Sequence, residues 1–421
     1  MLQPALFSHF HDLGVLRYDF PLVLVTAGPQ LGPLRSLADI FDEVLREMAP
    51  RGVAGEKIRR QLLGLEQEIR NRLAQSGSGG FAELWDEARQ GLLSRAGTDE
   101  RQDLENRLLE ARQRAPYEGT VYDCNHGLPA SALRHMWMQA RKPGNRLLFE
   151  RITRLVKALE DILQLDTLHS GQAHDAAYLR KSMGTTDGEL FDFDVMSEVL
   201  DTAPVGKPLA EKRRRRIRDA IAALQSQRFV CEDLDAGGKQ LFNFEFTDCN
   251  KAVAAFHKRL PDMAALIKAI SIAELELSNR YEENRHDAYY ECFNANALGP
   301  EDLALFPSYL VCVVGKPLTA RLKADVLEAL GSGLPFKILA QHDDILGPPP
   351  GAAGQLSFGV RGQQLAGMAL GLGQVFVMQA ASSSLYRLRE PLSRGLGGSS
   401  PALFSIYSGA PEDRPDMPAP Y

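Results

Sequence analysis

Four apolar runs near the end of the chain, Ser308–Val314, Phe336–Gln341, Gln374–Ala380 and Ala402–Tyr407, alternate with three helix-like segments. Between Asp344 and Arg387 the only charged residue is Arg361. A surface segment of that length would carry several charges, so most of this stretch belongs in an interior. A parallel sheet covered on both faces reads this way. The pattern predicts strand Ser308–Val314, helix Thr319–Leu330, strand Phe336–Gln341, helix Gly362–Leu372, strand Gln374–Ala380, helix Ser384–Leu396 and strand Ala402–Tyr407, joined by right-handed crossovers.

The preceding residues read differently. Phe20–Val25 is a compact apolar run closed by Ala27-Gly28-Pro29, a short buried strand standing alone at the front. From Leu34 to Leu165 apolar residues recur at helical spacing, for example Ile40, Val44, Leu45 and Met48, then Ile58, Leu62, Leu65 and Ile69. This predicts antiparallel helices, with separate helices near Ser131–Ala140 and Asn145–Leu165. The loop-rich stretch His169–Asp194 marks a boundary. Beyond it Lys207–Arg228 and Lys251–Tyr281 read as helices and Phe242–Phe246 as a short strand. The expected fold is therefore mixed α+β: a mainly helical part over 1–168, a helical connecting part over 169–304 and an α/β region over 305–421.

At 421 residues, with 24% charged and 44% hydrophobic side chains, the composition is that of a globular chain with ample core material. A net charge of −6 argues against a general nucleic-acid or anionic-membrane role, since such partners reward excess Lys and Arg. No apolar run approaches the roughly 20 residues needed to span a bilayer. His9, His11, Asp12 and Arg17 interrupt the apolar pattern at the front, unlike a secretion signal, and a cytoplasmic location is expected. The five cysteines, Cys124, Cys231, Cys249, Cys292 and Cys312, are scattered without CxxC spacing. No disulfide framework, zinc knuckle or local iron–sulfur cluster is expected from them.

In an open parallel sheet, ligands bind beyond the carboxyl ends of the strands. Those ends are Gly315-Lys316-Pro317, His342-Asp343-Asp344, Ala381-Ser382-Ser383-Ser384 and Ser408-Gly409, four loops expected to share one rim, and the candidates there are Gly315 and Lys316, the pair Asp343-Asp344, and Ser382 and Ser383. Carboxylates at a strand end suit a divalent cation bridging phosphates, though adjacent acids before a Pro/Gly loop also shape turns. The serines either donate to a phosphate or cap the following helix. Elsewhere, Cys124 and His126 have the spacing of a nucleophile and its base, or of a tight structural turn. His9 and His11 would share one face of a strand. The run Lys212–Arg216 is either a docking site for an acidic or redox partner or a solvated helix face.

The last quarter resembles the thiamine-diphosphate domain of pyruvate:ferredoxin oxidoreductases and related 2-oxoacid:acceptor oxidoreductases. The likeness rests on Leu330–Leu339, on Gln364–Ala369 followed by Gly373–Ala380, and on Pro401–Gly409, which match in order and approximate spacing. The resemblance implies a site for thiamine diphosphate with Mg²⁺ at the loops of Gly315, Lys316, Asp343 and Asp344, the metal falling to Asp343 and Asp344; Ser382 and Ser383, read above as phosphate donors, complete the expected cofactor site. It also implies oxidative decarboxylation of a 2-oxo acid, with electrons passing to a ferredoxin or an iron–sulfur domain held elsewhere in a longer polypeptide or complex. Two departures accompany it. The family's Gly-Asp-Gly after the first strand is replaced by Val314-Gly315-Lys316-Pro317, and a lysine cannot ligate Mg²⁺. Pro348-Pro349-Pro350 interrupts the second metal loop. The competing expectation is a non-catalytic scaffold that keeps the sheet as a docking platform.

Overall fold

A computed structural model describes residues 19–27, 30–168, 197, 208–231, 241–314, 319–342 and 360–408. The parallel sheet expected at the C-terminal end is present. Strands β5 (Glu245–Phe246), β6 (Tyr309–Val313), β7 (Phe336–His342), β8 (Phe376–Ala381) and β9 (Ala402–Tyr407) lie in the order β5-β6-β7-β9-β8, every neighbouring pair parallel. Every residue of β6 and β7 is buried, which explains their continuous apolar reading. The connecting helices are Ala320–Gly331, Val360–Leu370 and Arg389–Gly397. The first starts at Thr319, whose hydroxyl accepts from the Leu322 amide at 3.3 Å.

Strand order dictates how these helices lie. The chain passes from β7 to β8 beyond the place of β9, then returns to fill it. Right-handed crossovers put the first two helices on one face and the third on the other. Lys323 of the first helix donates to Gln364 of the second at 3.1 Å, as neighbours on one face should. The third approaches β8 and β9 closely at Gly395, where a Cβ would stand 2.5 Å from the Phe376 ring. Glycine permits that contact.

The lone strand expected at the front is corrected to a four-stranded antiparallel sheet. β1 (Leu22–Ala27) pairs with β2 (Gln30–Ser36) and β4 (Glu118–Tyr122), and β3 (Ser78–Gly80) pairs with β4. The added strands are short, polar or glycine-rich, so they carry no alternation that betrays a strand. Gly119 shows why one must be glycine: its φ is +143° and a Cβ would lie 2.0 Å from the Leu24 carbonyl oxygen. Helices α1 (Leu37–Met48), α2 (Val53–Ser76), α3 (Phe81–Arg95) and α4 (Thr98–Arg114) accompany this sheet. Their shared core centres on Trp85, stacked on Phe41 at 5.2 Å and meeting the Phe81 edge at 5.6 Å.

A second correction concerns the middle of the chain. The two helices expected near 131–165 are one, α5 (Leu128–Leu168), with Pro143 inside it. Buried Leu133, Met136, Trp137, Leu148, Ile152, Leu155 and Leu159 keep one helical stripe across the proline, whose missing N–H removes a single bond. The long helix α7 (Cys249–Leu277) likewise runs through Pro261, where the sequence pattern predicts an interruption or a start. Between them lies α6 (Glu211–Ser226), and α8 (Glu283–Cys292) and α9 (Pro300–Leu303) follow. The three helices of the parallel sheet are α10, α11 and α12 in chain order.

The chain forms two compact units. One contains both sheets and comprises 1–142, 243–255 and 308–421; the other is helical and comprises 143–242 and 256–307. In the helical unit Phe229 packs on Phe242 and Phe306 at 5.1 and 4.7 Å. Among the described residues no helix is long and apolar enough to cross a membrane.

Candidate functional site

The strand order places a switch point at the carboxyl ends of β7, β9 and β8, where successive connections leave toward opposite faces. Those ends present Gln341 and His342, then Ser405 and Ser408, then Ser382 and Ser383. Register sorts them: Gln341 faces Ile406 and His342 faces Tyr407, so Gln341 and His342 fall on opposite faces of the sheet. On one face His342 Nε2 lies 3.2 Å from Ser405 Oγ. On the other, Gln341 Nε2 donates to the His126 carbonyl at 2.6 Å and Ser408 Oγ meets His126 Nδ1 at 3.1 Å.

His126 belongs to the turn Asp123–Gly127, between β4 and α5. Asn125 builds that turn. Its Oδ1 accepts from the amides of Gly127 and Leu128, both at 3.0 Å, and its Nδ2 donates to the Gly77 carbonyl at 2.7 Å. The Asp123 amide reaches the same carbonyl at 3.2 Å. The turn is thus fixed to the end of α2 on one side and to the strand ends of the parallel sheet on the other.

The segment leaving β8 closes the same region. Ser382 Oγ lies 3.8 Å from Cys124 Sγ, the Tyr386 hydroxyl donates to Asp39 of α1, and Arg387 Nε donates to Asp19 at 2.7 Å. Burial raises the Asp19 carboxyl and outweighs the opposing pull of Arg387. Ser382 and Ser383 are fully buried. They form a short 3-10 turn, and α12 begins only at Arg389 with Leu388 as its N-cap, so the expected capping of that helix by the serines is corrected.

Of the six positions expected to hold cofactor, the structure brings Ser382 and Ser383 to the rim. Gly315, Lys316, Asp343 and Asp344 lie outside the described residues, as do His9 and His11. Of the polar residues that meet at the rim, His342 and Ser408 lie in the strand-end loops expected there, whereas Gln341, Ser405, Asn125 and His126 were not expected to join them. Their signal was faint: a polar residue ending an otherwise apolar strand. Two buried oxygens there, Gln341 Oε1 and Ser383 Oγ, have no hydrogen-bond partner among the described residues.

The Cys124–His126 pair does not read as a nucleophile with its base. Burial pushes the Cys124 thiol up to about 12, so it stays protonated and unreactive at neutral pH. Among the described residues no group of three or more His, Cys, Asp or Glu is arranged to hold a metal ion.

The basic run on α6 is mostly occupied. Arg213 and Arg216, three residues apart and hence on one helix face, both donate to Glu276 of α7, at 2.8 and 2.6 Å. Glu276 is only 2% exposed. Arg214 donates to Asp166 at 2.7 Å, and Asp166 also accepts from the Leu209 amide at 2.6 Å. The Arg214 bond holds the Asp166 carboxyl below its ordinary range. Lys212 pairs with Asp287 of α8 at 2.7 Å, lowering that carboxyl too, while the Arg216 guanidinium stacks over Tyr281 at 3.8 Å. Arg215 is 83% exposed and pairs only loosely with Asp219, at 3.9 Å.

Fold and rim define a mixed α/β protein with a parallel sheet and a polar switch point. No family model matches the chain, and no curated protein or solved structure matches it.

Proposed function

We propose that this chain is a non-catalytic scaffold or docking component, akin to the thiamine-diphosphate domain of 2-oxoacid:ferredoxin oxidoreductases but using its parallel sheet as a structural platform. One observation carries the reading. The strand ends that would face a coenzyme are bonded to the chain's own 123–127 turn, and the segment after β8 is fastened to Asp39 and Asp19. A diphosphate with Mg²⁺ calls for cations and carboxylates; the resemblance puts these at Lys316, Asp343 and Asp344, which lie outside the described residues, and no reaction step is derived through that group.

The second reading is a divergent active component, passing electrons from a 2-oxo acid to a ferredoxin-type partner. The unpartnered Gln341 Oε1 and Ser383 Oγ favour it, because a bound polar ligand would satisfy both. Thermal melting with and without thiamine diphosphate and Mg²⁺ separates the two. A ligand at 100 times its Kd stabilises by about 2.7 kcal/mol. The scaffold reading expects no shift, and none from Asp343→Asn with Asp344→Asn; a rise that this double substitution abolishes would establish the second reading.

A further inference from the structure

The helical unit holds a cavity of about 470 Å³, between α6, α7 and the segment around α8. That volume lies in the range of small-molecule sites. Its floor follows from the sequence. Ala220 and Ala223 on α6, and Ala265, Ala269 and Ile272 on α7, recur at three- and four-residue spacing, so each helix turns a stripe of small side chains toward the space. Larger residues at those positions would fill it. Tyr281 and Tyr290 form an aromatic wall, their rings 6.2 Å apart and nearly parallel.

The mouth is charged but unevenly committed. Lys212 and Arg216 line it, and both are engaged with Asp287, Glu283 or the buried Glu276. Tyr281 donates to the same Asp287 at 2.9 Å. These groups are structural. One lining cation is not: Lys268 of α7 stands beside the alanine floor and makes no ion pair among the described residues. Arg215 of α6, 83% exposed, pairs loosely with Asp219 at 3.9 Å. Arg216 meets Glu276, and this register of α6 on α7 sets Arg215 about nine residues of helix, on the order of 13 Å, from Lys268. Glu291 and Asp219 complete the mouth.

We propose that this cavity binds an amphiphilic organic anion, its apolar body against the alanine floor and tyrosine wall and its carboxylate on Lys268. A neutral ligand would leave that ammonium without a counter-charge. The inference is independent of how the parallel sheet is read.

Decanoate, 1-decanol and 2-naphthoate, titrated calorimetrically into the full chain, test it. The expected result is one decanoate or naphthoate per chain, with decanol about five-fold weaker; which acid binds more tightly tells an acyl from an aromatic body. Lys268→Gln should weaken the acid by about five-fold and leave decanol unchanged, since one partly exposed ion pair contributes up to about 1 kcal/mol. Lys268 is partly accessible, so the fold is not at stake. Ala223→Leu, which raises the floor, should abolish binding with the melting temperature retained. Equal affinity for decanol, undiminished binding in Ala223→Leu, several decanoates per chain, or binding only of an acidic amphipathic peptide would each overturn the proposal.

Discussion

The strand-end rim of the parallel sheet and the basic face of α6 both look, in sequence, like surfaces waiting for a partner. Both are turned inward, by opposite chemistry. At the rim, neutral groups meet neutral groups: amide to carbonyl, hydroxyl to imidazole. On α6, guanidinium groups meet carboxylates, two of them sharing the buried Glu276. The difference teaches that polar residues at a plausible site are not by themselves evidence of a ligand. What matters is which of them stay uncommitted after folding: Gln341 Oε1 and Ser383 Oγ at the rim, Lys268 at the helical cavity.

The contrast is most exposed to test at Glu276. Glu276→Gln leaves Arg213 and Arg216 without their shared counter-charge and should cost about 3–5 kcal/mol in denaturant unfolding. A loss below about 1 kcal/mol would show that the helical unit is not held by charge.

The sheet-bearing unit should answer oppositely, because there a buried charge is a burden. Lys337 at the start of β7 is fully buried and donates to the carbonyls of Gly398 and Ser400 at 2.7 and 2.5 Å; desolvation pushes its ammonium down to about 8. The unfolded lysine, near 10.5, therefore binds more proton than the folded one between these values. Stability relative to a Lys337→Met variant should rise with pH across that window, by about 3 kcal/mol in all. A flat or falling difference would contradict the assignment.

A smaller effect is expected where the segment after β8 meets α1. Tyr386→Phe removes the donor to Asp39 and should cost about 1.5 kcal/mol, measured by thermal or denaturant melting. The smallest is Arg215→Ala, within about 0.5 kcal/mol, since its side chain is 83% exposed and its pair with Asp219 is long at 3.9 Å.

How much of this was legible follows physical lines. The four long strands of the parallel sheet read clearly because burial on both faces removes charge, and their ends fall within about two residues of the expected bounds. The strands β2, β3 and β4 did not read, since Ser78-Gly79-Gly80 and Gln30–Ser36 carry no apolar alternation and depend on partners distant in sequence. Pro143 read as a break although the apolar stripe of α5 crosses it. At the rim, Ser382 and Ser383 were visible as strand-end polar residues. Gln341 was not distinguished from the strand it ends, and its partner His126 lies 215 residues away. The arginine run was obvious, but its occupancy by Glu276, Asp166 and Asp287 is a property of the helix packing alone.

The claim that the chain seals its own strand ends is tested most directly by cross-linking. Cys124 Sγ and Ser382 Oγ are 3.8 Å apart, so Ser382→Cys sets two thiols within reach of a disulfide. Refolding in a glutathione redox buffer, where both thiols begin exposed and ionisable, followed by peptide mapping, should recover a bond between positions 124 and 382 in most molecules, with a raised melting temperature. A folded variant that forms no such bond would mean that the 123–127 turn does not rest on the end of β8, and the sheet would again be open to a ligand.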